Sequence, residues 1–391
     1  MTLENGRMPA NFPCELLKEP WKTRLDHFRA YTVGHPWLLA AREELMAAVR
    51  ESEPNSVILV YGPPGVGKTT LRLKAEKTLS DDLRSEVEID RERIPVVAIE
   101  AVAPESGSFN WRDHFRRLLC QVNEPLIEYK RVRHLEENTD RRLVATGKVP
   151  GSDYRYAVEQ ALRYRRPVAV MIDEAQHLAK MTSGRRLLDQ LDVIKSIANI
   201  TCIPHVLFGT YDLLAFRNLN GQLSRRSVDI HFPRYNAERS QDRQAFRSVV
   251  QAFEHQIPLP EPPDLLKHWE YLYERSIGCV GILKQWLTKV LFSVLGQEQT
   301  TITRQQLERH ALSVSQCAKL VAEIFEGEER VKESAEERLF LRSHLGLELK
   351  SSKTDSPTAR ITRAGTKKPG QRTPVRDPIG NVESMCETAG L

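Results

Sequence analysis

The sequence predicts a doubly wound α/β core, then an all-helical region, then a basic tail. Three observations carry this. Short apolar runs alternate with helix-like segments as far as about Tyr235. Beyond it the strand signals stop and helical periodicity continues. After about Leu347 apolar residues are few, and Ser, Thr, Pro, Lys and Arg dominate. Strands alternating with helices indicate a parallel sheet covered on both faces. The tail cannot bury enough surface to offset its ordering entropy, so disorder is expected there. The expected divisions are an N-terminal helical segment (1–50), the α/β core (51–234), a helical lid with C-terminal helices (235–346), and the disordered basic tail (347–391).

In order along the chain, Leu38, Ala41, Leu45 and Ala48 recur three or four apart, which places them on one helix face. Glu53-Pro54-Asn55-Ser56 breaks that pattern. Five strand-like runs follow: Val57 to Tyr61, Val96 to Ile99, Val168 to Ile172, Ile203 to Phe208, and the alternating Val228 to Phe232. Helices are then expected over Ala237 to Ala252, Asp264 to Arg275, Val280 to Leu295, Thr303 to Ser313 and Ser315 to Phe325. Leu283, Trp286, Leu287, Val290, Leu291 and Val294 form an apolar stripe, which reads as packing inside a small helical domain.

Composition narrows the class. The chain has 391 residues, 40% hydrophobic and 28% charged, an ordinary balance for a chain with sizeable cores. No run of about eighteen apolar residues occurs, so no membrane helix is expected. Met1 to Pro13 lacks the basic start and apolar stretch of a signal peptide. Six scattered cysteines form no CxxC pair, which argues for reduced thiols in the cytoplasm rather than a disulfide framework. The net charge of +5 permits contact with nucleic acid without demanding it.

The most specific signal is Gly62-Pro63-Pro64-Gly65-Val66-Gly67-Lys68-Thr69, which fits GxxxxGK[ST]. It follows a strand-like run and precedes a helix expected over Thr70 to Leu79, the context a phosphate-binding loop requires. Glycines let the backbone wrap a phosphate, and amides at the helix start point at it. Lys68 is placed to reach the β- and γ-phosphates of ATP, and the Thr69 hydroxyl to bind Mg²⁺. Val168 to Ile172 then runs into Asp173 and Glu174. Asp173 would hold Mg²⁺ through water, and Glu174 would act as general base on the attacking water. Less specific are Thr210, a polar residue able to touch the γ-phosphate or its water, and the pair Arg225 and Arg226. Either arginine could reach the nucleotide of a neighbouring copy, Arg225 being the preferred finger.

Together these residues resemble an AAA+ ATPase, and more narrowly the TnsC/TniB regulators of bacterial transposons, including CRISPR-associated ones. The resemblance spans roughly Pro36 to Phe325. Besides the loop it rests on Val102-Ala103-Pro104 with Gly107-Ser108, on Ile172-Asp173-Glu174-Ala175-Gln176-His177-Leu178, on Phe208-Gly209-Thr210, and on Leu272-Tyr273-Glu274 leading to Ser276-Ile277-Gly278-Cys279-Val280-Gly281-Ile282-Leu283. The resemblance implies a P-loop AAA+ core with a five-stranded parallel sheet in the order 5-1-4-3-2 and a C-terminal all-α lid. It implies ATP-driven rings or helical filaments of the chain on duplex DNA, which link a TniQ-like target selector to transposase subunits in the bacterial cytoplasm. Hydrolysis would control assembly and disassembly, with the arginine finger acting between copies. Many lids of this class carry an arginine after GxxG; here Gly278 to Gln285 holds only Lys284, which is the candidate for that role.

Initiator-type relatives insert a helix after the second strand that faces the central channel. The matching stretch, Gly107 to Cys120, carries Arg112, Arg116 and Arg117; Arg112 and Arg116 share a helix face. A second basic cluster begins at Lys130 and Arg131. Either cluster could bind phosphates without sequence preference, or be a solvated face. The basic tail reads equally as an arm that folds on a transposase or as a solubilising segment. Two other functions share this core: a replication initiator or helicase loader, and a DNA-independent signalling switch.

Overall fold

The computed structural model describes residues 12–51, 56–104, 109–130, 149–179, 185–217, 227–332 and 335–347, the side chains of 185–188, 227 and 335 excepted. Its strands are β1 (Val57–Tyr61), β2 (Val97–Glu100), β3 (Val170–Asp173), β4 (His205–Gly209) and β5 (Ser227–His231). All pairings are parallel, in the order β2-β3-β4-β1-β5, which is the expected 5-1-4-3-2.

The helices are α1 (Trp21–Ala30), α2 (Pro36–Glu51), α3 (Lys68–Asp82), α4 (Arg84–Ile89), α5 (Trp111–Gln121), α6 (Gly151–Arg165), α7 (Arg185–Thr201), α8 (Leu214–Arg217), α9 (Ser240–Gln256), α10 (Trp269–Ser276), α11 (Val280–Gly296), α12 (Arg304–His310), α13 (Val314–Val331) and α14 (Ala335–His344). Four of the five strands differ from the apolar runs by one or two residues at an end. Three of them extend onto a polar residue, Glu100, Asp173 or Ser227, that an apolar-run criterion leaves out.

Alternate strand residues feed two cores, as the two-residue repeat of a strand requires. Leu59, Ile172 and Leu207 lie side by side and pack under α5, α6 and α7 with Leu118, Val158 and Ile194. Ile58, Met171 and Val206 face the other way, against Leu45 of α2 and Leu71 of α3. The sheet is thus covered on both faces, and its inner strands β1 and β4 are buried at every residue.

A third core holds the helical region: Phe246, Val250 and Phe253 of α9, Leu272 of α10, and the α11 stripe Leu283, Leu287, Val290, Leu291 and Val294. Leu25 and Phe28 of α1 belong to this core, whereas Leu38 and Leu45 of α2 belong to the sheet. The N-terminal helices therefore divide between the two bodies of packing. α13 ties them together. Arg234, just after β5, forms a bidentate pair with Glu328 of α13, and Gly327 lies flush on the Tyr211 ring after β4.

The chain separates into two compact units, Met1–Glu333 and Ser334–Leu391. In the second, α14 exposes Leu339, Phe340 and Leu341. The tail beyond 347 lies outside the described residues. Among the described residues no single helix is long and apolar enough to cross a membrane.

Candidate functional site

The loop between β1 and α3 is built from glycines that only glycine's freedom allows: Gly65 has φ +72° and Gly67 φ +118°. Between them Val66 is buried among the apolar residues of α2, α3 and the sheet, which anchors the loop. α3 starts at Lys68, two residues ahead of expectation, directly from Gly67. The Lys68 ammonium donates to the carbonyls of Gly62 (2.9 Å) and Pro63 (2.8 Å). Burial pushes its pKa down to about 8, and Glu174, then Cys279 and Asp173, pull in the opposite direction. Pro63 is buried; Pro64 and Thr70 are half-buried; Thr69 is exposed at the first turn of α3.

β3 delivers the two carboxylates. Asp173 is buried, with Oδ1 accepting from the Glu174 amide (3.0 Å) and Oδ2 from Arg72 Nε (3.1 Å). Arg72 also pairs with Glu76 (2.9 Å). Glu174 turns the chain in the left-handed region, φ 52°, ψ 32°. Its Oε2 accepts from Gln176 Nε2. Gln176 Oε1 in turn accepts from the Thr210 amide at the end of β4 (3.3 Å). The Thr210 hydroxyl donates to Asp212 (3.2 Å). Beside it, Tyr211 Oη and His231 Nε2 lie 3.0 Å apart, and His231 stacks on Tyr61.

The helical region reaches the loop directly. The amides of Gly281 and Ile282, in the first turn of α11, both donate to the Gly65 carbonyl (2.8 and 3.2 Å). A Cβ at position 281 would lie 2.5 Å from that oxygen, so only glycine permits the approach. The amides that a helix start leaves without intrahelical partners are satisfied here by the phosphate loop itself.

Lys284 corrects an expectation. Its ammonium donates to the carbonyls of Arg29 (2.8 Å) and Tyr31, at the end of α1. A cation satisfying the last carbonyls of a helix is a stable arrangement. Half-burial there lowers its pKa. Position 282, an isoleucine, faces the loop instead.

The basic candidates on α5 form a separate, internally paired surface. Arg112 Nε donates to the Val149 carbonyl (2.8 Å), and its guanidinium lies over the Tyr154 ring. Arg116 pairs with Glu128 (2.6 Å), Arg117 with Asp113 (2.6 Å) and Lys130 with Glu124 (2.5 Å). Arg131, Arg225 and Arg226 lie outside the described residues.

Three participants were missed in the sequence reading. Arg72 falls four residues after Lys68, one turn along the same helix face, a spacing that could have suggested it. Gln176 stood inside the quoted IDEAQHL phrase without a role. Arg234 carried no sequence signal.

Residues 50–216 match the family model described as an AAA domain, AAA_22. No curated protein matches. Among solved structures, the ORC2 protein of Aeropyrum pernix in its ADP form is 16% identical, with a TM-score of 0.48, covering 73% of this chain and 71% of that one. Cdc6p from Pyrobaculum aerophilum is 12% identical (TM-score 0.46; 73% and 69% covered). A structure of Drosophila ORC bound to DNA is 12% identical (TM-score 0.45; 88% and 87% covered). These likenesses are remote and bear on no functional question. The chain has the AAA+ P-loop fold, a fold of nucleotide-binding ATPase domains.

Proposed function

We propose that this chain is a Mg²⁺-dependent ATPase that assembles on duplex DNA and regulates transposition, linking a TniQ-like target selector to transposase subunits. The observation that carries the enzymatic part is the meeting of three elements at the Gly62–Thr69 loop. Lys68 lies on it, the Asp173–Glu174 pair faces it, and the first turn of α11 is hydrogen-bonded to Gly65. Lys68 and the loop amides hold phosphates. Glu174 accepts the proton of the attacking water. Arg225, from a neighbouring copy, steadies the transferring phosphoryl group.

The donor set fits Mg²⁺. Asp173 keeps lone pairs beyond its two hydrogen bonds, and the Thr69 hydroxyl is exposed. These are hard oxygen ligands, and such an ion is held largely by phosphates rather than by a protein cage. Accordingly, no cluster of three or more His, Cys, Asp or Glu assembles among the described residues. When bound, the ion would neutralise charge on the phosphoryl oxygens.

Because Gly65 belongs to the phosphate loop and also anchors α11, loop geometry is coupled to lid orientation. That coupling supports nucleotide-controlled assembly. The transposition role is supported by the IDEAQHL phrase and by the Gly278-to-Leu283 phrase of the resemblance. The pairing of Arg112, Arg116, Arg117 and Lys130 within the chain favours one second reading, a signalling switch without DNA.

Electron microscopy of the full chain with duplex DNA separates these readings. The samples carry ATP, a slowly hydrolysed analogue, or no nucleotide. Rings or filaments on DNA only with nucleotide support the DNA-assembly reading. Nucleotide binding without DNA-dependent assembly would transfer the function to the switch.

A further inference from the structure

The turn after β3 holds a polar side chain that the hydrolysis scheme above does not use. Gln176 is buried, 6% exposed, between the ends of β3 and β4. Its amide makes two hydrogen bonds of opposite sense. The NH₂ donates to Glu174 Oε2, and the carbonyl accepts from the Thr210 amide. A carboxylate only accepts and a backbone amide only donates, so this is the one orientation of the side-chain amide that satisfies both.

The surroundings are shaped for it. A Cβ on Gly209 would sit 2.6 Å from Gln176 Oε1, so glycine at the end of β4 leaves the space the amide occupies. Glu174 itself stands in the left-handed region at φ 52°, which fixes where its side chain departs from the backbone. One hydrogen bond from Gln176 then restricts the remaining rotamers. Thr210 is thereby joined to Glu174 through a single side chain, Gln176, which lies 34 residues before Thr210 in sequence.

We propose that Gln176 is a positioning residue for hydrolysis: it orients the Glu174 carboxylate toward the attacking water and ties that orientation to the β4 end at Thr210. The proposal rests on the reading of Glu174 as general base. Gln176 touches neither nucleotide nor water in this scheme. It acts by fixing the base before the substrate arrives, which lowers the ordering cost of the reactive geometry.

The test compares the full chain with Gln176→Leu, Gln176→Glu and Glu174→Gln. Leu keeps the approximate volume and removes both hydrogen bonds. Glu keeps the acceptor for the Thr210 amide but sets a second carboxylate against Glu174, so it remains informative if the Leu variant folds poorly. For each variant, affinity for a fluorescent ATP analogue, kcat and KM are measured. Gln176→Leu is expected to bind within about twofold of the parent and to lose kcat on the order of 10- to 100-fold. KM should stay near the parental value, because the lost hydrogen bond positions the base and not the nucleotide. Gln176→Glu should likewise lose kcat with KM retained, since a carboxylate at 176 cannot donate to Glu174. A parental kcat in Gln176→Leu overturns the proposal. So does a rise in KM with kcat unchanged, which would make Gln176 only a packing residue. If Glu174→Gln turns over at the parental rate, the base assignment falls and takes the proposal with it. If Glu174→Gln is inactive while both Gln176 variants behave as the parent, the proposal alone falls.

Discussion

Two basic regions of this molecule are organised in opposite ways. At the phosphate loop, Lys68 is buried on two carbonyl oxygens, with Glu174 and Asp173 acting on it and burial depressing its pKa to about 8. On α5, Arg116 and Arg117 are solvent-exposed and directly paired with Glu128 and Asp113. The first arrangement holds a cation in a costly place, which an incoming phosphate relieves. The second leaves charges comfortable in water, where an exposed pair contributes little and can be exchanged for another anion. The difference teaches that a phosphate at the loop acts strongly and with pH dependence. A phosphate at α5 acts weakly and with salt dependence.

The comparison is broken most severely at Lys68. Lys68→Ala is expected to weaken nucleotide binding by about 2–5 kcal/mol, the cost of truncating a buried charged partner. Titration with a fluorescent ATP analogue reads this directly. A loss under threefold would mean that the loop amides alone hold the phosphates.

Next comes the contact between loop and lid. Gly281→Ala sets a methyl 2.5 Å from the Gly65 carbonyl. Relieving that clash should cost about 1–3 kcal/mol of stability, as other overpacked positions do. A lowered Tm together with weaker nucleotide binding sharpens the claim that loop and lid move together. A lowered Tm with unchanged binding would separate them.

The pH dependence is smaller. A bound phosphate raises the Lys68 pKa above its value of about 8 in the free protein. Affinity is therefore full below pH 8 and falls as pH rises through and beyond that value, by at most about tenfold per pH unit. Calorimetric titration with ADP between pH 7.5 and 9.5 checks it. An affinity that is flat, or rises, over that window contradicts the buried-cation description.

The smallest effect is expected on α5. Arg116→Ala with Arg117→Ala should weaken duplex DNA binding uniformly across sequences and reduce the slope of log K against log salt by about one per lost contact. An unchanged slope would assign these arginines wholly to their carboxylate partners.

Much of this was legible in the sequence, for local reasons. β1 coincides with Val57 to Tyr61 because a strand buried on both faces is written as an unbroken apolar run. The loop was legible because the geometry of phosphate binding needs glycines at fixed spacing. The α11 stripe was legible because one helix face is buried over its whole length. What stayed hidden depends on partners distant in the chain. Lys284 reads as a lid cation until the end of α1, 253 residues earlier, is folded against it. Arg72 meets Asp173 across 101 residues. Arg116 and Arg112 of α5 look like a free basic face until Glu128 and Val149 are placed beside them. Periodicity reports which face is buried, but not which polar group stands opposite.

The claim at the centre is that the carboxylate after β3 performs hydrolysis on a nucleotide held by the loop. Single-turnover hydrolysis of Mg²⁺-ATP by the full chain and by Glu174→Gln tests it most directly. The expected result is ATP bound with similar affinity by both proteins, and hydrolysis slowed on the order of 10²- to 10⁴-fold in the variant. Hydrolysis at the parental rate in Glu174→Gln would contradict it.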